Sequence, residues 1–172
     1  MAPSEPVKVV LDTSVLINFL SVNRMDLLAE HPEFRFVITD HVRREVTACY
    51  REQSERLRAA LVSGSLTETR VETIEELTLF AHLVGNPRLG TGECAAIAAA
   101  VHRNQVLAID DKAARKAALL FAPRLRILDT QNIMLSLIHT GVLTVSEADT
   151  IKTAWETEHN FRLKIVSFAE LL

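Results

Sequence analysis

Asp12, Glu45, Glu93 and the adjoining Asp110 and Asp111 stand in stretches where a protein interior normally refuses carboxylates. Asp12 follows Val9, Val10 and Leu11, and Asp110 follows Val106, Leu107, Ala108 and Ile109, so both close short apolar runs that read as buried strands. Open α/β sheets place ligands at such carboxyl ends. Glu45 lies among Val42, Val46 and Cys49, and Glu93 shares helical spacing with Ala96, Ile97, Ala100 and Val101, which points each glutamate along the apolar stripe of a helix. Carboxylates sharing a poorly hydrated site repel one another and cannot all stay ionised unless protons or a cation neutralise them. A hard ion such as Mg2+ or Mn2+ meets that demand. It would also supply phosphoryl-group hydrolysis without histidine or cysteine, through Lewis acidity and a bound water of lowered pKa that attacks phosphorus in line.

Taken singly, each acid has an ordinary role. Asp12 serves as a helix cap, Glu93 as a charge at the amino end of its own helix, and Glu45 as a partner for Arg43 or Arg44. The conjunction of strand-end aspartates and stripe-facing glutamates is what favours a metal site. Ser14, beside Asp12 at a helix start, is placed either to cap that helix or to hold a ligand carboxylate or a water. Arg43, Arg44, Lys112, Arg115 and Lys116 each read as part of a solvated helix face, and as a group they could hold nucleic-acid phosphates. One Tyr, one Trp and seven Phe define no stacking platform for bases.

The elements that position these residues follow from periodicity. Lys8–Leu11 and Arg35–Thr39 read as strands, and Asp40 caps a long polar helix to about Ser63, stopped by Gly64. Leu66–Thr73 alternates like a half-exposed strand, and residues 74–84 form a helix with Ile74, Leu77, Phe80 and Ala81 on one side. Gly90-Thr91-Gly92 opens an Ala-rich helix to about His102, Val106–Ile109 is a strand, Lys112–Ala122 a helix and Leu125–Leu128 a strand. Helices follow over Thr130–His139 and Ser146–His159, leaving Phe161–Leu172 ambiguous. Strands alternating with helices predict an α/β fold with a mostly parallel sheet covered on both faces.

At 172 residues and 48% hydrophobic content, a single domain over 1–172 is expected. The net charge of −3 gives no general basic field, so nucleic-acid contact must come from local patches and metal. Met1–Pro6 lacks the pattern of a secretory signal and no apolar run is long enough to span a bilayer, which predicts a soluble, cytoplasmic protein without membrane contact. Cys49 and Cys94 are read as reduced small hydrophobes, and the six histidines show no zinc-binding spacing.

LDTSVLINFL at 11–20, Glu45 within VITDHVRREV, GTGECAAIAAA at 90–100 and VLAIDDKAARKAA at 106–118 together resemble the PIN domain of ribonucleases, including VapC-type toxins. The resemblance covers most of 7–141, taken as the core, and leaves 142–172 as a C-terminal helical extension of unassigned role, a dimer arm or a partner-binding surface. It implies a Rossmann-like three-layer α/β/α fold and a Mg2+- or Mn2+-dependent endoribonuclease cutting single-stranded RNA. Asp12, Glu45 and Glu93 become successive metal ligands. The family's Thr-x-Asp, with Ile109 at the Thr position, makes Asp111 the fourth, with Asp110 a further ligand or supporting partner. The toxin analogy implies a small antitoxin partner and a homodimer. Two other classes compete: a non-catalytic PIN-like RNA- or protein-binding module with a residual metal site, and an acidic phosphotransfer fold. A haloacid-dehalogenase-like phosphatase would want Asp-x-Asp where this chain has Asp12-Thr13-Ser14, and a receiver domain would want its acidic pair early.

Overall fold

The computed structural model describes residues 5–172, so residues 1–4 of the Met1–Pro6 stretch lie outside the described residues. Five parallel strands, β1 (Val7–Leu11), β2 (Phe34–Thr39), β3 (Thr67–Thr69), β4 (Val106–Ala108) and β5 (Ile127–Leu128), pair in the order β3-β2-β1-β4-β5. The chain steps outward from β1 to β2 and β3, then crosses back to lay β4 on the other side of β1. The order therefore reverses between β1 and β4, the place where open α/β sheets form a crevice beyond the carboxyl ends of their strands.

Alternation along the strands separates two cores. Val9, Leu11, Phe36, Ile38, Val106 and Ala108 face one of them, and Val10, Leu107 and Ile109 face the other. The first core is covered by helices α1 (Thr13–Ser21), α2 (Met25–Ala29), α3 (Asp40–Cys49), α4 (Arg51–Ser63), α8 (Thr130–His139) and α9 (Val145–Glu158), counted in chain order. The second is covered by α5 (Ile74–Val84), α6 (Thr91–His102) and α7 (Lys112–Phe121). This is the expected three-layer α/β/α arrangement, with every strand pair parallel. Residues 142–172 contribute Leu143, Ala148, Ile151, Trp155 and Phe168 to the first core. Asp149 accepts hydrogen bonds from Ser167 Oγ (2.6 Å) and Phe168 N (2.8 Å), and the last stretch ends in a short 3-10 helix, Phe168–Leu171.

Several expectations need correction. The long helix over 40–63 is two helices that break at Tyr50 (φ −133°, ψ 82°). The bend brings Arg56 of α4 to the carboxyl end of α1, where it donates to the carbonyls of Leu20 (2.6 Å) and Ser21 (2.8 Å), the last two of that helix. Thr39, rather than Asp40, caps α3. The strand expected over 66–73 shrinks to β3, because the amides of Glu72 and Thr73 are captured by the Glu76 carboxylate in a capping box that starts α5. The buried side of α5 carries Glu76, Leu79 and Leu83, while Ile74 and Leu77 are exposed. Arg103, at the end of α6, forks onto both oxygens of Glu76 (2.6 and 3.0 Å) and draws that face inward. Helix α2 is an element the sequence reading lacked. Cys49 is exposed, not a core hydrophobe, whereas Cys94 is buried, and both are free thiols.

Candidate active site

Asp12 ends β1 and caps α1. Its Oδ1 accepts from the Val15 amide (2.8 Å), its Oδ2 accepts from Ser14 Oγ (2.6 Å), and its own amide donates to the Ala108 carbonyl (3.0 Å), fastening it to β4. The residue is wholly inaccessible to solvent. Burial, with the charges of Asp110 and Glu93 adding to it, pushes its pKa from 3.8 up to about 7, against the opposing pull of the Ser14 and Val15 hydrogen bonds.

Glu45 projects from α3 and is half-buried. Its Oε2 accepts from Thr13 Oγ1 (2.8 Å) and from the amide of Gly92 (3.1 Å), so one carboxylate joins the starts of α1 and α6 to α3. A Cβ at Gly92 would collide with Glu45 Oε2 and Thr13 Oγ1, so the close approach of α6 to α3 requires glycine there. Glu93 does not ride an apolar stripe as expected: α6 is buried almost all round because alanines pack closely on every side, and Glu93 stands in its first turn. Its Oε2 accepts from Gly90 N (2.8 Å), and a Cβ built at Gly90 would lie 3.6 Å from Glu45 Oε1 and 3.7 Å from Glu93 Oε2, which puts the two glutamates side by side. Burial raises the Glu93 pKa, reinforced by the charges of Asp111 and Glu45.

Past β4, Asp110 turns inward and Asp111 outward. Asp110 Oδ1 accepts from the Thr130 amide (2.8 Å) and Oδ2 from Thr130 Oγ1 (2.7 Å) and Asn18 Nδ2 (3.0 Å). Burial raises its pKa and nearby Asp129 adds, while the Thr130 hydrogen bonds and Arg115 oppose. Asp111 is exposed and caps α7 through the Ala114 amide (2.8 Å).

Charge effects link Asp12 with Asp110 and Glu93, and Glu93 with Asp111 and Glu45, and among the described residues none of the five carboxylates forms a salt bridge. This is an oxygen-only donor set around a buried aspartate without a counter-cation, which fits a hard divalent ion in chemistry. Among the described residues no three His, Cys, Asp or Glu side chains are yet gathered tightly enough to hold one. Each carboxylate is instead turned to the local donors just given.

The basic residues are less concentrated than expected. Arg43 pairs with Glu68 and lines a cleft of about 730 Å³ between α3, α4 and β3 that contains none of the five carboxylates. Arg44 pairs with Asp40 (2.9 Å) and borders a smaller hollow of about 390 Å³ with His41, Glu45 and Thr91. Arg115 reaches Asp129 at 3.8 Å, and Lys112 stands exposed at the start of α7. Sequence reading missed Thr13, Asn18 and Thr130. The available signal was Asn18 itself, a polar residue inside the apolar run Val15–Leu20, where its burial demands hydrogen-bond partners.

A family model described as PIN domain matches residues 8–172. The chain belongs to the PIN domain family. That membership sets aside the phosphatase and receiver-domain readings. Among solved structures, this PIN domain is similar to VapBC2 from Rickettsia felis, determined bound to a DNA fragment from their promoter, with a TM-score of 0.50 and 14% identity over 72% of this chain and 98% of that one. It is also similar to PAE2754 from Pyrobaculum aerophilum, with a TM-score of 0.49 and 13% identity over 83% of this chain and 95% of that one. No curated protein matches it.

Proposed function

We propose that this PIN domain is a divalent-metal-dependent endoribonuclease that hydrolyses phosphodiesters of single-stranded RNA, with Mg2+ or Mn2+ as the ion, and that it acts in the cytoplasm as the toxin of a toxin–antitoxin pair. Family membership supports the nuclease class. The observation that carries the reading is Asp12, fully buried, without a cationic partner among the described residues, and close enough to Asp110 and Glu93 for their charges to raise its pKa. Such repulsion is relieved either by a proton or by a bound cation, and a divalent ion would relieve it while keeping the carboxylates ionised. The likeness to VapBC2 supports an antitoxin partner, and the family resemblance supports a homodimer.

Asp12, Glu45, Glu93 and Asp111 are the residues that would hold the ion, with Asp110 as a further or supporting ligand. A divalent cation there supplies Lewis acidity to the scissile phosphodiester and eases ionisation of the attacking water. Ser14 and the Val15 amide orient Asp12, and Thr13 with the Gly92 amide orients Glu45. Lys112 is the basic residue best placed to meet a phosphate without first leaving a carboxylate. Arg115, Arg44 and Arg43 would exchange Asp129, Asp40 and Glu68 for the RNA backbone.

The engagement of every carboxylate with local donors, and the lack of three gathered ligands among the described residues, favours a second reading, a non-catalytic binding module. One experiment separates the two. Purified protein is incubated with end-labelled single-stranded RNA and Mn2+, with and without chelator, alongside Asp12→Asn. Cleavage that chelator and the substitution both abolish supports the nuclease. RNA left intact by the wild type, but retained in a filter-binding assay, selects the binding module.

A further inference from the structure

Asp110 is held more completely than any other carboxylate at the crevice. Thr130 donates to it twice, from its backbone amide and its hydroxyl, and Asn18 donates a third time while its Nδ2 also lies 3.0 Å from Thr130 Oγ1. Both Asn18 and Thr130 are buried. Asn18 is immobilised from behind, because Trp155 Nε1 of α9 donates to its backbone carbonyl at 2.7 Å. The linkage therefore runs from the last turn of α9, through α1 and the start of α8, to the end of β4.

An ionised carboxylate offers about four acceptor positions. The two donors on Oδ2 fill that oxygen, and the Thr130 amide leaves one position on Oδ1. Asp111, by contrast, spends one position on the Ala114 amide, and among the described residues its Oδ2 has no donor. The two adjacent aspartates are thus chemically unequal, one aimed and nearly saturated, the other open.

We infer that Asn18 and Thr130 are positioning residues that aim the single free Oδ1 position of Asp110 into the crevice, and that Trp155 extends this support to the C-terminal helix. The inference deepens the metal-dependent reading proposed above and rests on it. The hydroxyl of Thr130 matters here because it donates its one hydrogen to Asp110 Oδ2 while accepting from Asn18 Nδ2. Removing it frees Oδ2 to rotate the carboxylate away from the crevice.

The test uses the full chain and Mn2+ alone as the probe, titrated by calorimetry, with RNA cleavage and urea unfolding measured in parallel. Thr130→Val keeps the side-chain shape without the hydroxyl, Thr130→Ser keeps the hydroxyl, and Asn18→Leu removes the amide donor. The expected result is an Mn2+ dissociation constant raised roughly 10-fold or more in Thr130→Val and Asn18→Leu, in the range usual for groups that orient metal ligands, with Thr130→Ser within about 3-fold of wild type. Cleavage should fall in step and be partly restored by raising Mn2+. Wild-type-like Mn2+ affinity in a folded Thr130→Val, or equal losses in the Val and Ser variants, overturns the positioning role. Should wild type itself bind no Mn2+ and cut no RNA, the metal reading fails first, a result distinct from either of these.

Discussion

Replacing Asp12 by asparagine should stabilise the metal-free protein while destroying its activity. A carboxyl whose pKa moves from 3.8 to about 7 on folding keeps its proton in the folded chain at pH values where the unfolded chain has lost it. The associated stability is fully present below pH 3.8 and is lost as pH rises through about 7. Above that, the folded chain bears an ionised, buried Asp12 at a cost of roughly 4 kcal/mol, to order of magnitude. The amide carries no charge, can still accept from Val15 N, and can donate to the Ser14 hydroxyl in place of accepting from it. In chelator, the stability of Asp12→Asn relative to wild type should therefore widen by roughly 2–3 kcal/mol between about pH 5 and about pH 8, a rise of roughly 5–10 °C in relative melting temperature for a chain of this size. Mn2+ at about pH 8 should reverse the order, raising the wild-type midpoint well above that of the variant. Urea unfolding and differential scanning calorimetry read both effects. A gap that does not change with pH, or a variant less stable than wild type in chelator at about pH 8, would refute the claim that Asp12 is strained by its own charge.

Gly92→Ala forces a methyl group into Glu45 and Thr13, and should cost roughly 1–3 kcal/mol by chemical denaturation together with a marked loss of RNA cleavage. Arg103→Met leaves Glu76 buried without its cation and should cost roughly 3 kcal/mol or more, with part of the loss recovered in the double variant Arg103→Met/Glu76→Leu. Because Arg103 holds Glu76 below its ordinary pKa of 4.5, the stability from that pair should be present at neutral pH and disappear in acid, a dependence missing from Glu76→Leu. Iodoacetamide should modify exposed Cys49 in the native protein and spare Cys94, whose thiol burial pushes up to about 11, until denaturant is added, as mass spectrometry of the peptides will report.

What could be read in advance was what local pattern controls. Asp12 and Asp110 were legible because each acid interrupts an apolar run at the point where a buried strand must end, and the parallel sheet followed from strands spaced by helix-length segments. The break at Tyr50 was not legible, because nothing in its immediate neighbours disfavours helix; it serves a contact between Arg56 and carbonyls of α1 that are distant in sequence. The reversed face of α5 has the same origin, since Glu76 is inside only because Arg103 meets it there. The stripe read for Glu93 was not there: alanine-rich α6 has no single apolar side, and Glu93 stands in its first turn. Asn18 and Thr130 escaped notice because a hydrogen-bonded buried amide and a helix-start threonine look ordinary until Asp110 is seen between them.

The amide of Asp12 rests on the carbonyl of Ala108, so the candidate site's edge is stitched from segments far apart in the sequence. During synthesis, every segment from β1 through α6 leaves the ribosome before that second half of the edge exists. A polypeptide stalled or cut before β4 would carry Asp12, Glu45 and Glu93 with no strand to close against them, and the candidate site would be left half built.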